Sequence, residues 1–255
     1  MKKKILIIGD NCTDMFKYGK CVRLSPEAPV PVFNPTSIKV SGGMAINVME
    51  NLKALGIDCD IFTNEVRPIK TRYIDEVSNQ MILRVDEYDQ IPPLTADELE
   101  KIDFDLYQAV VISDYNKGYL SEADIKYITD KHSLVFMDTK KKLGSWSLGV
   151  EVLKLNEKEW MENYYWLLGY EHGDVIITKG KDGAVLNFSE KFPIEEEHEV
   201  RDLSGAGDTF LAALVADFTK NNDIRSAIKF ANKCASWVVT QKGVVVVDLN
   251  KITIT

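Results

Sequence analysis

Hydrophobic residues between positions 95 and 247 fall into short continuous runs that alternate with longer amphipathic stretches. The runs cover residues 109–113, 134–138, 152–155 and 175–178. Continuous apolar runs are typical of strands buried on both faces, and their alternation with helices predicts a mostly parallel sheet flanked by helices. The pattern also predicts two late helices, at about 209–220 and 224–240.

The first part of the chain has a different pattern. We expect a buried strand at residues 4–9, a helix at 45–55 that Gly56 stops, and a strand at 60–63. The stretch 24–33 is rich in proline, which cannot donate a hydrogen bond to a neighbouring strand. We therefore place these prolines on sheet edges or in turns.

Polar and apolar residues alternate in two runs, 71–75 and 81–86, with Asn79 between them. This pattern predicts a half-exposed antiparallel hairpin. We interpret the whole chain, residues 1–255, as one α/β domain in which segments at about 15–40 and 66–90 form a small β lid.

Composition narrows the function classes. The 255 residues are 45% hydrophobic and 27% charged, as in folded globular chains, and the net charge of −8 disfavours nucleic acid as a partner. No apolar stretch approaches the roughly 20 residues of a membrane helix, and the apolar run 5–8 is too short for a secretory signal. We therefore expect a cytoplasmic protein. The four scattered cysteines show no zinc-site spacing.

The chemistry concentrates in the segment Ser204-Gly205-Ala206-Gly207-Asp208-Thr209, immediately before a predicted helix. Small residues let backbone N–H groups converge at a helix N-terminus, where the helix dipole favours an anion such as phosphate. A carboxylate beside such a site is suited to take a proton from an attacking hydroxyl. The alternative is that Asp208 is a helix N-cap and the glycines form a tight turn. The chain lacks the Walker A motif and lacks a dinucleotide-binding G-x-G-x-x-G after its first strand.

This segment resembles the C-terminal motif of the ribokinase-like (PfkB) carbohydrate kinase family. Four more segments resemble family motifs in the family's order, namely 9–14, 41–47, 155–159 and 178–183. The resemblance implies a ribokinase-like α/β fold with a β lid, and transfer of phosphate from ATP to a sugar hydroxyl. It implies ATP and Mg²⁺ as cofactors and leaves a requirement for a monovalent cation open.

The resemblance also implies roles for particular residues. Asp208 would be the catalytic base, and the anion hole would comprise Gly205, Ala206 and Gly207. The nucleotide would contact Thr178, Gly180, Gly183 and Asn232. The sugar hydroxyls would contact Asp14, Gly42, Gly43 and Asn47. Asn156 and Glu159, three residues apart at a helix start, would bind Mg²⁺ through water. For each motif the alternative is ordinary turn or helix-cap chemistry.

A narrower resemblance is to D-glycero-D-manno-heptose-7-phosphate kinases. It rests on the stretch 23–32, which includes Ser-Pro-Glu-Ala-Pro-Val-Pro, and on segments 70–73, 83–86, 112–118 and 138–140. It implies phosphorylation of the anomeric hydroxyl to give the 1,7-bisphosphate. Further substrate contacts would come from Arg67, Lys70, Arg72, Lys117, Asp138 and Lys140.

Two departures from these relatives stand out. About 40 residues expected between Asn64 and Arg67 are missing, the size of a peripheral α/β unit, and Met44 replaces a small residue. The alternatives are therefore a kinase of another sugar or nucleoside, and a truncated, non-catalytic binding protein. We also expect a homodimer joined through apolar lid residues, which are Val30, Val32, Phe33, Ile82, Leu83 and Val85.

Overall fold

The computed structural model describes residues 4–88, 90–195 and 199–252. Its main sheet contains eight strands, which are β1 (Lys4–Gly9), β4 (Cys59–Thr63), β7 (Tyr107–Asp114), β8 (Val135–Thr139), β9 (Val152–Asn156), β10 (Asp174–Thr178), β11 (Ala184–Leu186) and β12 (Glu190–Phe192). Their spatial order is β12-β11-β10-β9-β8-β7-β1-β4. In this spatial order, the six strands β10, β9, β8, β7, β1 and β4 are parallel to their neighbours. Strands β11 and β12 extend the sheet beyond β10 with antiparallel pairing. This confirms the predicted mostly parallel sheet.

Helices cover both faces of this sheet. They are α1 (Ala45–Ala54), α2 (Ala96–Glu100), α3 (Glu122–Lys131), α4 (Glu157–Glu162), α5 (Tyr164–Leu167), α6 (Ala206–Asn221) and α7 (Ile224–Val238). Alternate residues of β1 enter two different cores. Ile5 and Ile7 pack with α1, α6 and α7, whereas Leu6 and Ile8 pack with α2 and α3. Burial on both faces explains why the strand sequences are continuously apolar.

Four further strands form a second sheet, which is separate from the main sheet because its strands pair only with one another. Its strands are β2 (Asn11–Leu24), β3 (Pro31–Met44), β5 (Ile69–Asp75) and β6 (Met81–Glu87), in the order β3-β2-β5-β6. We call it the small sheet. Pro31 and Pro35 lie in β3, an edge strand, as their missing N–H groups require.

The small sheet differs from expectation in two ways. Strands β2 and β3 have 14 residues each, longer than the short pieces that the sequence suggested. The hairpin of β5 and β6 is antiparallel as predicted, but every residue of β6 is exposed rather than every second one. The reason is that β6 is an edge strand that packs chiefly on β5.

The direct connection between the two sheets is fixed by two asparagines. Asn64 follows β4, the terminal strand of the main sheet, and Asn11 begins β2. The Asn64 side chain accepts from the Asn11 N–H (2.8 Å) and donates to the Asn11 carbonyl (3.1 Å), and the Asn11 side chain donates to the Asn64 carbonyl (3.1 Å). The chain thus passes from β4 into the small sheet without a peripheral unit. Among the described residues, no helix is both long and apolar enough to span a membrane.

Candidate active site

The loop before α6 positions the central carboxylate. Gly205 is the residue that caps α6, in a left-handed conformation with φ of 82°. A Cβ atom at Gly205 would lie 2.7 Å from the Asn47 side-chain nitrogen, so glycine is required by conformation and by space. Asp208 lies in the first turn of α6, three residues after the N-cap Gly205, and its carboxylate accepts from the side chains of Tyr115 and Asn47. The N-cap interpretation of Asp208 is therefore wrong.

Asp208 is 4% exposed, and both of its carboxylate oxygens accept hydrogen bonds. The Tyr115 hydroxyl donates to Oδ1 (2.6 Å), and the Asn47 Nδ2 donates to Oδ2 (3.1 Å). Asn47 is oriented in turn by Asn51, whose Nδ2 donates to the Asn47 Oδ1 (3.0 Å). Each carboxylate oxygen can accept a second hydrogen bond, so a substrate hydroxyl could still donate to Asp208.

The surroundings of Asp208 adjust its proton affinity. Burial raises the pKa of Asp208 to about 6, and the hydrogen bonds from Tyr115 and Asn47 oppose that rise. The carboxylate is therefore mostly ionised at neutral pH, while its proton affinity exceeds that of an ordinary aspartate. Such a pKa suits a general base near neutral pH.

A buried group of alternating charges lies beside this carboxylate. Asp138 pairs with Lys140 (2.9 Å) and, through its other oxygen, with Lys154. Burial raises the pKa of Asp138, but Lys154 and Lys140 more than offset it, so the net pKa lies below its usual value. The Lys154 Nζ lies 3.1 Å from the point where a Cβ on Gly207 would be. An ammonium group therefore faces the first turn of α6, where an anion is already favoured.

The predicted magnesium residues form a helix cap. The Asn156 side chain accepts from the Glu159 N–H (2.9 Å), and Glu159 accepts from the Asn156 N–H (2.8 Å). Glu159 also pairs with Lys140 (2.5 Å). The residues that the structure describes include no cluster of three or more His, Cys, Asp or Glu side chains that could hold a metal ion. A single carboxylate fits Mg²⁺ bound mainly by water and substrate phosphates, not a direct protein cage.

A cavity of about 540 Å³ runs from the loop after β10 to the first turn of α6. It is lined by all four residues predicted to contact the nucleotide, which are Thr178, Gly180, Gly183 and Asn232. Ala206 and Gly207 line its other end. The Asn232 side-chain nitrogen, however, donates to the Phe192 carbonyl (2.8 Å), so its oxygen is the atom better placed to meet a ligand.

Ser236 is a pocket residue that sequence reasoning missed. It lies one turn after Asn232 on α7 and lines the same cavity. It is 7% exposed, and its hydroxyl has no hydrogen-bond partner among the described residues. The four-residue spacing from Asn232 was the available signal, because it places both side chains on one helix face.

The inner face of the small sheet carries the predicted sugar contacts. In one ladder row, Asp14 lies between Ser41 and Lys70, and in a neighbouring row Arg72 lies beside Phe16. Asp14 and Arg72 form an ion pair. A Cβ atom on Gly43 would clash with the Asp14 carboxylate, so glycine at this position lets the carboxylate lie against the backbone of β3.

Two predicted cations come together around a tyrosine ring. The Lys70 Nζ lies 5.5 Å and the Lys140 Nζ lies 5.1 Å from the centre of the Tyr115 ring. Arg67 is exposed, and Lys117 is partly buried. Each oxygen of Asp138 pairs with a lysine, so Asp138 orients those lysines, and its contact with a sugar stays a prediction.

Asp10 organises the loop that carries Tyr115, a role the sequence did not suggest. Its Oδ2 accepts from the N–H groups of Tyr115 (2.6 Å) and Lys117 (3.1 Å). Burial raises the pKa of Asp10, and the hydrogen bond from Lys117 opposes that rise. The signal in the sequence was a carboxylate placed directly after the first buried strand, at the carboxyl edge of the sheet.

Asp208 is buried in the first turn of α6, and Ala206 and Gly207 of the same turn line the cavity, an arrangement suited to phosphoryl transfer to a hydroxyl. Residues 133–250 match the model of the pfkB family of carbohydrate kinases. A curated relative, the bifunctional protein HldE of a Nitratiruptor species, is 30% identical over 300 aligned positions, which cover 99% of this chain. The chain spans 64% of that relative's length.

Solved structures show the same fold. Ribokinase from Thermotoga maritima superimposes with a TM-score of 0.72 at 16% identity, covering 96% of this chain and 97% of that one. Phosphofructokinase-2 from Escherichia coli gives 0.76 at 14% identity, covering 99% and 98%. These matches identify residues 133–250 as a PfkB carbohydrate kinase domain within a ribokinase-like fold, and they support a phosphotransferase that acts on a sugar hydroxyl.

Proposed function

We propose that this chain is an ATP-dependent kinase that phosphorylates the anomeric hydroxyl of D-glycero-D-manno-heptose 7-phosphate to give the 1,7-bisphosphate. The observation that carries the proposal is the buried Asp208 carboxylate. It is held by Tyr115 and Asn47 in the first turn of α6, where Gly207 and the Lys154 ammonium favour an anion.

In the proposed reaction, Asp208 accepts the proton of the sugar O1. The O1 oxygen forms a bond to the γ-phosphorus of ATP, the bond between that phosphorus and the β–γ bridging oxygen breaks, and ADP leaves. Negative charge on the transferred group is stabilised by the N–H groups at the start of α6 and by Lys154. The nucleotide would lie in the cavity between the loop after β10 and α7.

Mg²⁺, when bound with ATP, would neutralise charge on the phosphates and orient them. Glu159 and Asn156 would hold it through water, as the single available carboxylate suggests. Lys140 pairs with both Asp138 and Glu159 and thereby fixes the position of the Glu159 carboxylate.

Cationic residues support a phosphorylated acceptor. Lys70 and Lys140 flank Tyr115, which touches the proposed base, and Lys117 lies in the same loop as Tyr115. Ammonium groups are suited to bind a phosphate. Asp14, with Gly43 beside it, would accept hydrogen bonds from sugar hydroxyls.

The small sheet would act as a lid that excludes water, which would otherwise compete as the acceptor. Its outer face, opposite the side of Asp14, carries exposed apolar residues, which are Ile38, Val40, Leu83 and Val85. We propose that a second copy of the chain covers this face, giving a homodimer joined through the small sheets. Ile82, predicted at this interface, is instead the extra residue of a bulge, so Leu83 is the better probe.

The test is ATP turnover with a panel of acceptors, measured by coupled release of ADP. The proposal expects heptose 7-phosphate to give a kcat/KM at least about tenfold above those of ribose, fructose 6-phosphate and adenosine, the preference expected from about 1.4 kcal/mol of selective binding. A preference for another acceptor would support the rival assignment to another sugar or nucleoside. Absence of turnover with every acceptor would support the non-catalytic alternative. A cytoplasmic location remains a prediction.

A further inference from the structure

We propose that Tyr115 is a positioning residue for the catalytic base: its hydroxyl holds the Asp208 carboxylate in a fixed orientation and in its ionised form. The inference rests on the proposed function, in which Asp208 is the base. No family motif quoted above assigned a role to this tyrosine. It is carried by the 2.6 Å hydrogen bond between the two side chains and by the contacts that immobilise Tyr115.

Both ends of Tyr115 are fixed. Its backbone N–H donates to the Asp10 Oδ2 at 2.6 Å, which ties it to the end of β1. Its ring lies near the ammonium groups of Lys70 and Lys140, at 5.5 and 5.1 Å. The hydroxyl therefore reaches Asp208 from a ring with little freedom to turn, and such a donor orients its acceptor.

The Tyr115 hydroxyl stays protonated, and therefore remains a hydrogen-bond donor, at neutral pH. Burial, and then the negative charges of Asp208 and Asp138, raise the pKa of Tyr115 well above its usual value, so the group stays protonated. A neutral donor stabilises the charged form of its acceptor. The other charged or titratable groups facing Asp208 are Asp138, Lys154 and Cys12, and Lys70 and Lys140 face Tyr115.

The deciding experiment replaces only the hydroxyl, by Tyr115→Phe. The matched control is Tyr119→Phe, in the same loop, because Tyr119 is buried, whereas Tyr115 is half-buried, and the Tyr119 hydroxyl makes no hydrogen bond with the described residues. Protein labelled with ¹³C at the aspartate carboxyl carbon is titrated by NMR without substrates. The resonance of Asp208 is assigned by its absence from Asp208→Asn.

We expect the Asp208 carboxyl to titrate near pH 6 in the wild type and in Tyr119→Phe. In Tyr115→Phe it should titrate about one to two pH units higher, as for loss of one hydrogen bond to a charged acceptor. With ATP and heptose 7-phosphate, kcat of Tyr115→Phe should fall about tenfold with both KM values unchanged, since the hydroxyl acts through the base.

An Asp208 titration in Tyr115→Phe that matches the wild type would overturn the inference, whichever sugar is the substrate. Equal loss in Tyr119→Phe would overturn it as well, because the effect would then belong to the packing of the loop. Full turnover by Asp208→Asn would instead overturn the proposed function. The two failures are therefore distinguishable.

Discussion

The region around the start of α6 and the outer face of the small sheet differ in whether their side chains are buried and have partners within the chain. Around α6, Asp208, Asp138 and Lys154 are nearly inaccessible, and each has a defined polar partner. On the outer face of the small sheet, Ile38, Val40 and Leu83 are more than half exposed. Buried polar networks position reacting groups, whereas an exposed apolar face needs a cover. We therefore expect chemistry in the first region and propose assembly through the second.

The largest effect should come from the carboxylate in the first region. Asp208→Asn retains the size of the side chain but removes the base. We expect kcat to fall by about 10²–10⁴ while substrate binding survives. Steady-state kinetics and calorimetric titration with ATP measure the two properties. Asp217→Asn, farther along the same helix, is the control and should retain nearly full turnover. Loss of binding in Asp208→Asn would indicate a structural role.

Gly205→Ala tests the geometry around that carboxylate. The substitution places a Cβ atom against the Asn47 side chain in a left-handed conformation, so Asn47 must move away from Asp208. We expect kcat to fall roughly 10- to 100-fold, as for misplacement of a catalytic group by about 1 Å. Gly169→Ala is the control, because a Cβ there meets no atom within 4 Å. Equal kinetics in the two variants would show that Asn47 does not position the base.

Leu83→Asp addresses the second region. A charge on the outer face should prevent its burial against a second copy, because an unpaired buried charge is costly. Light scattering should report a wild-type dimer and a monomeric variant. The KM for the sugar should rise about tenfold while ATP affinity is unchanged, the factor expected from losing roughly 1.4 kcal/mol of lid bracing.

Val77→Asp is the control for that experiment, since Val77 is exposed in the turn between β5 and β6 and lies outside the outer-face rows. It should remain dimeric. A wild-type monomer with full activity would separate the outer face from any role in assembly.

The smallest effect should come from Ser236→Ala. Its hydroxyl, unpartnered among the described residues, faces the nucleotide cavity, where it can bind a polar atom of the bound nucleotide. We expect the KM for ATP to rise about threefold to tenfold, as for the loss of one neutral hydrogen bond. The KM for the sugar should stay constant. A fall in the KM for ATP would show that the hydroxyl is only an unsatisfied buried group.

The main sheet and the small sheet also differ in how well the sequence predicts them. The main sheet was predictable because strands such as 109–113 and 175–178 are buried on both faces and their pattern depends on no partner. The small sheet was predicted less well. Every residue of its edge strand β6 is exposed, so the alternation of polar and apolar residues in β6 did not correspond to one buried and one exposed face.

Within the site, a compact motif singled out Asp208, and the four residues predicted to contact the nucleotide line one cavity, namely Thr178, Gly180, Gly183 and Asn232. Tyr115, Asp10 and Lys154 were not singled out, because their roles depend on contacts across 93, 105 and 16 residues of sequence. Lys154 lies inside an apolar run and had the local pattern of a buried strand. Periodicity reports burial but does not report which distant charge a side chain will meet.

The most direct test of the central claim is ³¹P NMR of the reaction itself, with wild-type protein and Asp208→Asn run side by side on ATP, Mg²⁺ and heptose 7-phosphate. The claim predicts that the wild type converts ATP to ADP and gives a new phosphate resonance coupled to the anomeric proton, with the original 7-phosphate retained. Asp208→Asn should form this product at least about 100 times more slowly. A wild-type reaction without an anomeric phosphate, or equal rates in the two proteins, would contradict the claim.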